Sequence, residues 1–144
     1  KNQSPGEDDK SILYNDLDTE SSDIDKEYEI NKQVFQKLDS LIRRDELYLS
    51  ADLSREDLVR MAHMNNTRFA KMIKENTGTN LSGYINELRL NHAIHLLKEH
   101  PEYTLRAIAE ASGINSMPTF HSLFKNKTGM TPSEFKKTQM DMKQ

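Results

Sequence analysis

The sequence predicts an all-α fold of about seven helices, arranged as two helix-turn-helix subdomains joined by a long central helix. Three observations predict it. Apolar residues recur at three- and four-residue steps along most of the chain after Glu29. Capping residues and helix breakers interrupt that period at intervals suited to short helices. The pattern of one half then returns in the other at an offset of about fifty residues.

Residues 1–28 hold three Lys/Arg against nine Asp/Glu, a net charge of −6, and their Ile12, Leu13, Tyr14, Leu17 and Ile24 fit no sustained period. They read as an acidic, flexible linker or tail; such a stretch could also lie over a basic face. From Glu29 to Glu46, Val34, Phe35, Leu38, Leu41 and Ile42 fall on one helical face, giving an amphipathic helix that caps the first subdomain. Ser54 with Asp57 three residues on is the pattern of an N-cap hydroxyl with a reciprocal carboxylate, and Leu58, Met61 and Ala62 follow it on a short helix. After the break His63-Met64-Asn65-Asn66, a second helix carries Phe69, Met72 and Ile73 inward and Arg68, Lys71 and Lys74 outward, ending before Gly78.

Leu81 to Glu99 forms one long helix through Tyr84, Ile85, Leu88, Ala93, Ile94, Leu96 and Leu97, and Pro101 stops the chain soon after. Thr104 caps a helix with Leu105, Ile108, Ala109 and Ala111; Gly113 turns the chain; a helix from about Met117 to Thr128 buries Phe120, Leu123 and Phe124. Thr131-Pro132-Ser133-Glu134 starts a last helix ending near Thr138. The organisation is therefore a tail over 1–28 and one domain over 29–140, with a first unit at about 29–80, a linker helix at 81–100 and a second unit at 104–138.

Phe69, Met72, Ile73, Lys74, Thr77, Gly78, Ser82 and Tyr84 correspond at a constant shift to Phe120, Leu123, Phe124, Lys125, Thr128, Gly129, Ser133 and Phe135. Upstream, Leu58, Met61, Ala62 and Met64 match Ile108, Ala111, Ser112 and Ile114 at a shift one residue smaller, so the second turn is one residue longer. Stacked helical scaffolds also repeat helix pairs. Here only two copies exist, and the second helix of each exposes a polar, partly basic face at its N-terminal half.

Composition bounds the function. The 144 residues carry a net charge of −3, yet residues 29–144 hold seventeen Lys/Arg against fourteen Asp/Glu, so the folded part is mildly basic. Cysteine is absent, no apolar run nears the roughly 20 residues of a membrane span, and the start lacks a basic-then-apolar signal pattern. A reducing, cytoplasmic compartment and no membrane contact are expected. The first residue, Lys1 and not Met, suggests a fragment or processed product. No nucleophile, base and orienter share a recognisable spacing and no Gly-rich phosphate loop occurs, so neither an enzyme nor a cofactor is expected. His92 and His95 lie three apart with His100 beyond, but solvated helical histidines are far commoner than ligands, and no metal is expected.

Ile108-Ala109-Glu110-Ala111-Ser112-Gly113-Ile114-Asn115-Ser116, then Phe120, Phe124-Lys125 and Gly129-Met130-Thr131-Pro132-Ser133-Glu134-Phe135, resemble the signature of the AraC/XylS family of bacterial regulators. Asp57-Leu58, Lys74-Glu75-Asn76-Thr77-Gly78, Tyr84-Ile85, Arg89-Leu90, Ala93 and Leu96-Leu97 resemble it in the first unit. The resemblance spans roughly Val34 to Lys137 and departs at His63-Met64, where a small residue or glycine is usual. It implies two homeodomain-like units that read double-stranded DNA and regulate transcription, one recognition helix in each of two successive major grooves. By that resemblance Thr67, Arg68, Ala70 and Lys71 of the first unit, and Met117, Thr119, His121 and Ser122 of the second, face bases. Asn65, Lys74, Arg89, Ser116, Lys125 and Lys127 face phosphate. An upstream sensory part and RNA polymerase are the partners implied. The competing reading is a helical protein-interaction module.

Overall fold

The computed structural model describes residues 5–143, with side chains over 22–142. Seven α-helices and one 3-10 turn follow in chain order among these residues: α1 (Pro5–Arg44), the turn Leu47–Leu49, α2 (Arg55–Ala62), α3 (Asn66–Thr77), α4 (Leu81–Glu99), α5 (Leu105–Ala111), α6 (Met117–Thr128) and α7 (Pro132–Lys143).

The first helix starts upstream of Glu29, the boundary expected from periodicity. Residues 1–4 of the acidic stretch lie outside the described residues, and from Pro5 its backbone is continuous with α1. The period failed to show this because Ser22 to Lys26 and Tyr28 to Ile30 are exposed, and an exposed helix needs no apolar stripe. No Gly or Pro interrupts the chain between Gly6 and Gly78, so a helix nucleated by the packed segment can propagate backwards. At the other end α1 stops at Arg44, and Glu46 (φ 54) turns the chain into the 3-10 turn, which periodicity did not foresee.

Each later helix starts on a side-chain cap. Ser54 accepts from the Asp57 N–H while Asp57 accepts from the Ser54 N–H, closing a capping box. Asn65, Asn80, Thr104 and Ser116 each accept from the amide three residues on. Thr131 and Glu134 form the reciprocal pair that opens α7.

Two hydrophobic cores result, one per half. The first gathers Leu38 and Ile42 of α1, Leu58 of α2, Phe69, Met72 and Ile73 of α3, and Tyr84, Ile85 and Leu88 of α4. The second gathers Leu90, Ala93 and Leu97 of α4 with Ile108, Ala109, Ile114, Phe120 and Phe124. Side chains such as Phe69 and Phe120, with no exposed surface, each stabilise by roughly 1.5–3 kcal/mol. The helix α4 serves both cores, its first half in one and its second half in the other.

Polar contacts couple the halves across α4. Arg89 donates from Nε to the Tyr48 carbonyl (2.7 Å) and from a terminal nitrogen to that of Ser50 (2.8 Å). His92 Nδ1 lies 3.2 Å from Ser112 Oγ, and Lys127 of α6 pairs with Glu87 of α4. Gly113 sits against the 3-10 turn so closely that a Cβ there would lie 2.6 Å from the Tyr48 carbonyl oxygen.

Candidate nucleic-acid interface

The repeat seen in the sequence is also a repeat of hydrogen bonds. Thr77 donates to the Ile73 carbonyl and accepts from the Thr79 amide, and Thr128 does the same with Phe124 and Met130. Gly78 and Gly129 then close α3 and α6 with φ of 78° and 80°. The Asn65 and Ser116 caps are equivalent, so the extra residue of the second turn is Asn115.

The turns before α3 and α6 require a left-handed residue. Gly113 supplies it in the second unit (φ 84) and His63 in the first (φ 56). The departure of His63 from the family pattern therefore leaves the turn geometry intact at a modest steric cost, since a side chain in this region is disfavoured. His63 is itself exposed, which gives its ring room. Gly113 has no such room.

With Phe69, Met72 and Ile73 facing inward, α3 presents Thr67, Ala70, Lys71 and Lys74 to solvent. On α6, Phe120 and Phe124 face inward, and Thr119, His121, Ser122 and Lys125 are exposed. Each half thus offers one helix that begins on a capped N-terminus and carries a strip of polar and basic side chains free of the core.

Other residues expected at the interface have different surroundings. Arg68 is only 35% exposed and lies at the α1 edge of α3, where its Nε donates to Asn31 Oδ1 at 2.8 Å and stands 4.0 Å from a Glu27 carboxylate oxygen. Met117 is half-buried against the second core. Lys127 is paired with Glu87. The side chains of Asn65 and Ser116 are occupied as caps.

Arg89, expected at a phosphate, is half-buried and spends its Nε and one terminal nitrogen on the Tyr48 and Ser50 carbonyls. Desolvation lowers its pKa from the usual arginine range. These two bonds tie the first unit to the linker helix.

Asn31 was missed entirely by sequence reasoning. The signal is its place on the stripe of Phe35, Leu38 and Ile42, the one amide among apolar residues.

The helix-turn-helix domain family matches residues 58–138, just over half of the chain. The chain is similar to the uncharacterized transcriptional regulatory protein YesN of Bacillus subtilis (strain 168), 39% identical over 80 residues that cover 55% of this chain and 22% of YesN. It is 31% identical over 81 residues to the RCS-specific HTH-type transcriptional activator RclR of Escherichia coli (strain K12), covering 56% of this chain and 28% of RclR. The chain therefore spans less than a third of these relatives.

Among solved structures, a transcriptional regulator from Chromobacterium violaceum described as an AraC-type DNA-binding domain protein superposes with a TM-score of 0.64 at 27% identity, covering 75% of this chain and 93% of that one. The C-terminal domain of the two-component response regulator yesN from Fusobacterium nucleatum shares the fold, with a TM-score of 0.64 at 22% identity, covering 72% of this chain and 98% of that one. Given the family match, the duplicated cap-helix-glycine unit and these relatives, the chain belongs to the AraC/XylS family of transcription regulators and carries its helix-turn-helix DNA-binding domain.

Proposed function

We propose that this domain reads an asymmetric site on double-stranded DNA, with α3 and α6 in successive major grooves on one side of the duplex. The observation that carries the reading is the repetition of one capped helix with an exposed polar strip in each half, both packed on the same helix α4. Both helices are held by α4, and the reading requires their exposed strips to enter grooves roughly 34 Å apart, one turn of the duplex. Because the two strips differ in sequence, one chain reads two unlike blocks and needs no palindrome.

In this reading Thr67, Ala70 and Lys71 meet bases from the exposed strip of α3, with Arg68 joining from its flank. Thr119, His121 and Ser122 do so from α6, with Met117 at the edge able to touch a thymine methyl. Lys71 and Arg68 can donate to guanine O6 and N7, Arg68 with the planar fork that a bidentate contact requires. The second strip has no arginine and reads through hydroxyl, imidazole and apolar contacts. Lys74 and Lys125, both exposed, meet phosphate, as do the free backbone N–H groups at the starts of α3 and α6. Family resemblance supports an upstream sensory part in the full regulator and RNA polymerase as a partner at the promoter.

The experiment is selection from a randomised duplex library with the purified chain at two salt concentrations. Two blocks about one helical turn apart are expected, with Lys71→Ala relaxing the preference in one block and Ser122→Ala in the other. Absent or salt-insensitive enrichment would overturn the proposal.

A further inference from the structure

We infer that Asn31 is a positioning residue for DNA recognition, holding the Arg68 guanidinium in one orientation at the edge of the first recognition helix. The inference rests on the tandem reading of DNA by α3 and α6. It concerns a residue upstream of the segment that matches the helix-turn-helix family.

Asn31 has no exposed surface, and its Oδ1 accepts from Arg68 Nε at 2.8 Å. Its Nδ2 is buried and has no hydrogen-bond partner among the described residues. An amide in this state is a poor choice for stability, because a buried polar group left without a partner is penalised by its lost hydration. An apolar residue would suit this place on the stripe with Phe35, Leu38 and Ile42 better. What Asn31 does supply is one dry, short hydrogen bond to the Nε of a half-exposed arginine.

That bond engages the side of the fork and leaves the terminal nitrogens as donors. Bonding through Nε restricts how the guanidinium can turn, since the Nε–H direction lies in the plane of the group. A long flexible side chain is thereby ordered before DNA arrives, and the ordering cost is removed from the binding step. The Glu27 carboxylate, 4.0 Å from Nε and 43% exposed, adds only a weak, screened attraction. Asn31 is the one of the two partners that is shielded from salt.

The test compares wild type, Asn31→Leu, Arg68→Lys and the double variant on the selected duplex and on duplexes changed in either block, with a urea melt of each protein. Asn31→Leu is expected to lower discrimination in the block read by α3 by about 2- to 10-fold, the worth of ordering one long side chain. Discrimination in the block read by α6 should hold. In the Arg68→Lys background, which keeps the charge but lacks Nε, Asn31→Leu should change nothing further; with Arg68 intact, Asn31→Asp, which keeps the acceptor oxygen, should retain wild-type discrimination.

Equal losses in both blocks, or additive effects of the two substitutions, would make Asn31 a purely structural residue. A gain in affinity on Asn31→Leu would make the bond a restraint that withholds Arg68, and would equally overturn the inference. If Asn31→Leu does not fold, Arg68→Lys against Arg68→Ala decides: equal losses in the block read by α3 refute a role for the fixed fork. Failure of the wild-type chain to select any duplex would instead overturn the tandem reading itself.

Discussion

Replacing Gly113 by alanine should cost more than the same change at the two other glycines with positive φ described in the structure, which serve as controls. Gly78, Gly113 and Gly129 all have positive φ, at 78°, 84° and 80°. Alanine at any of them bears the left-handed backbone cost of about 1–2 kcal/mol. At Gly78 and Gly129 a Cβ would meet nothing within 4 Å. At Gly113 it would lie 2.6 Å from the Tyr48 carbonyl oxygen, and 3.0 Å from both the Leu49 carbonyl oxygen and Arg89 Nε. Two of these are backbone atoms held in the 3-10 turn, and the third is the nitrogen that bonds the Tyr48 carbonyl at 2.7 Å.

Moving the Arg89 side chain alone cannot relieve the contact with the two backbone oxygens, so the halves must separate, adding about 1–3 kcal/mol of overpacking. Gly113→Ala should therefore lose roughly 2–5 kcal/mol in all, against about 1–2 kcal/mol for Gly129→Ala. Urea unfolding followed by far-UV circular dichroism on the two variants and wild type measures the difference directly. Equal losses for Gly113→Ala and Gly129→Ala would refute the claim that the second turn is pressed against the first unit.

Three further outcomes are expected. Ser54→Ala removes the capping box of α2 and should lower stability by about 1 kcal/mol in the same urea assay. Burial pushes the His92 pKa below the ordinary 6.5, with His95 adding to this and Glu46 opposing it; the unfolded chain therefore takes up the proton first. Stability is full above pH 6.5 and declines as pH falls from there through the folded-state pKa, so thermal melts from pH 8 to pH 5 should fall more steeply for wild type than for His92→Gln. Lys74→Ala and Lys125→Ala should each reduce the slope of log affinity against log salt by about 0.9 while leaving the selected sequence unchanged, as read by fluorescence anisotropy.

The elements from α2 to α7 were legible because short helices packed on small cores show their apolar period, caps and glycines locally. Ser54 with Asp57, Thr131 with Glu134, and Gly78 with Gly129 are rules of backbone hydrogen bonding and positive φ, and they act within four residues. The 51-residue shift from Phe69 to Phe120 was equally visible, because duplication copies those local rules together. The helix over residues 22–28 could not be seen this way, since a mostly exposed stretch leaves no period to detect.

By itself, then, the sequence determined the all-α class, the duplicated unit, the two exposed strips and the family. Only the tertiary structure decided which cations are tied to a partner in the folded chain. Arg68, Lys71, Arg89 and Lys127 look alike as charges on helices, yet the fold sets Arg68 against Asn31, Arg89 against the carbonyls of the 3-10 turn and Lys127 against Glu87, and leaves Lys71 exposed. The reason is physical: a cap or a period is fixed by neighbours along one helix, whereas a long side chain takes its partner from whichever helix lies alongside, here 37 to 41 positions away in the chain.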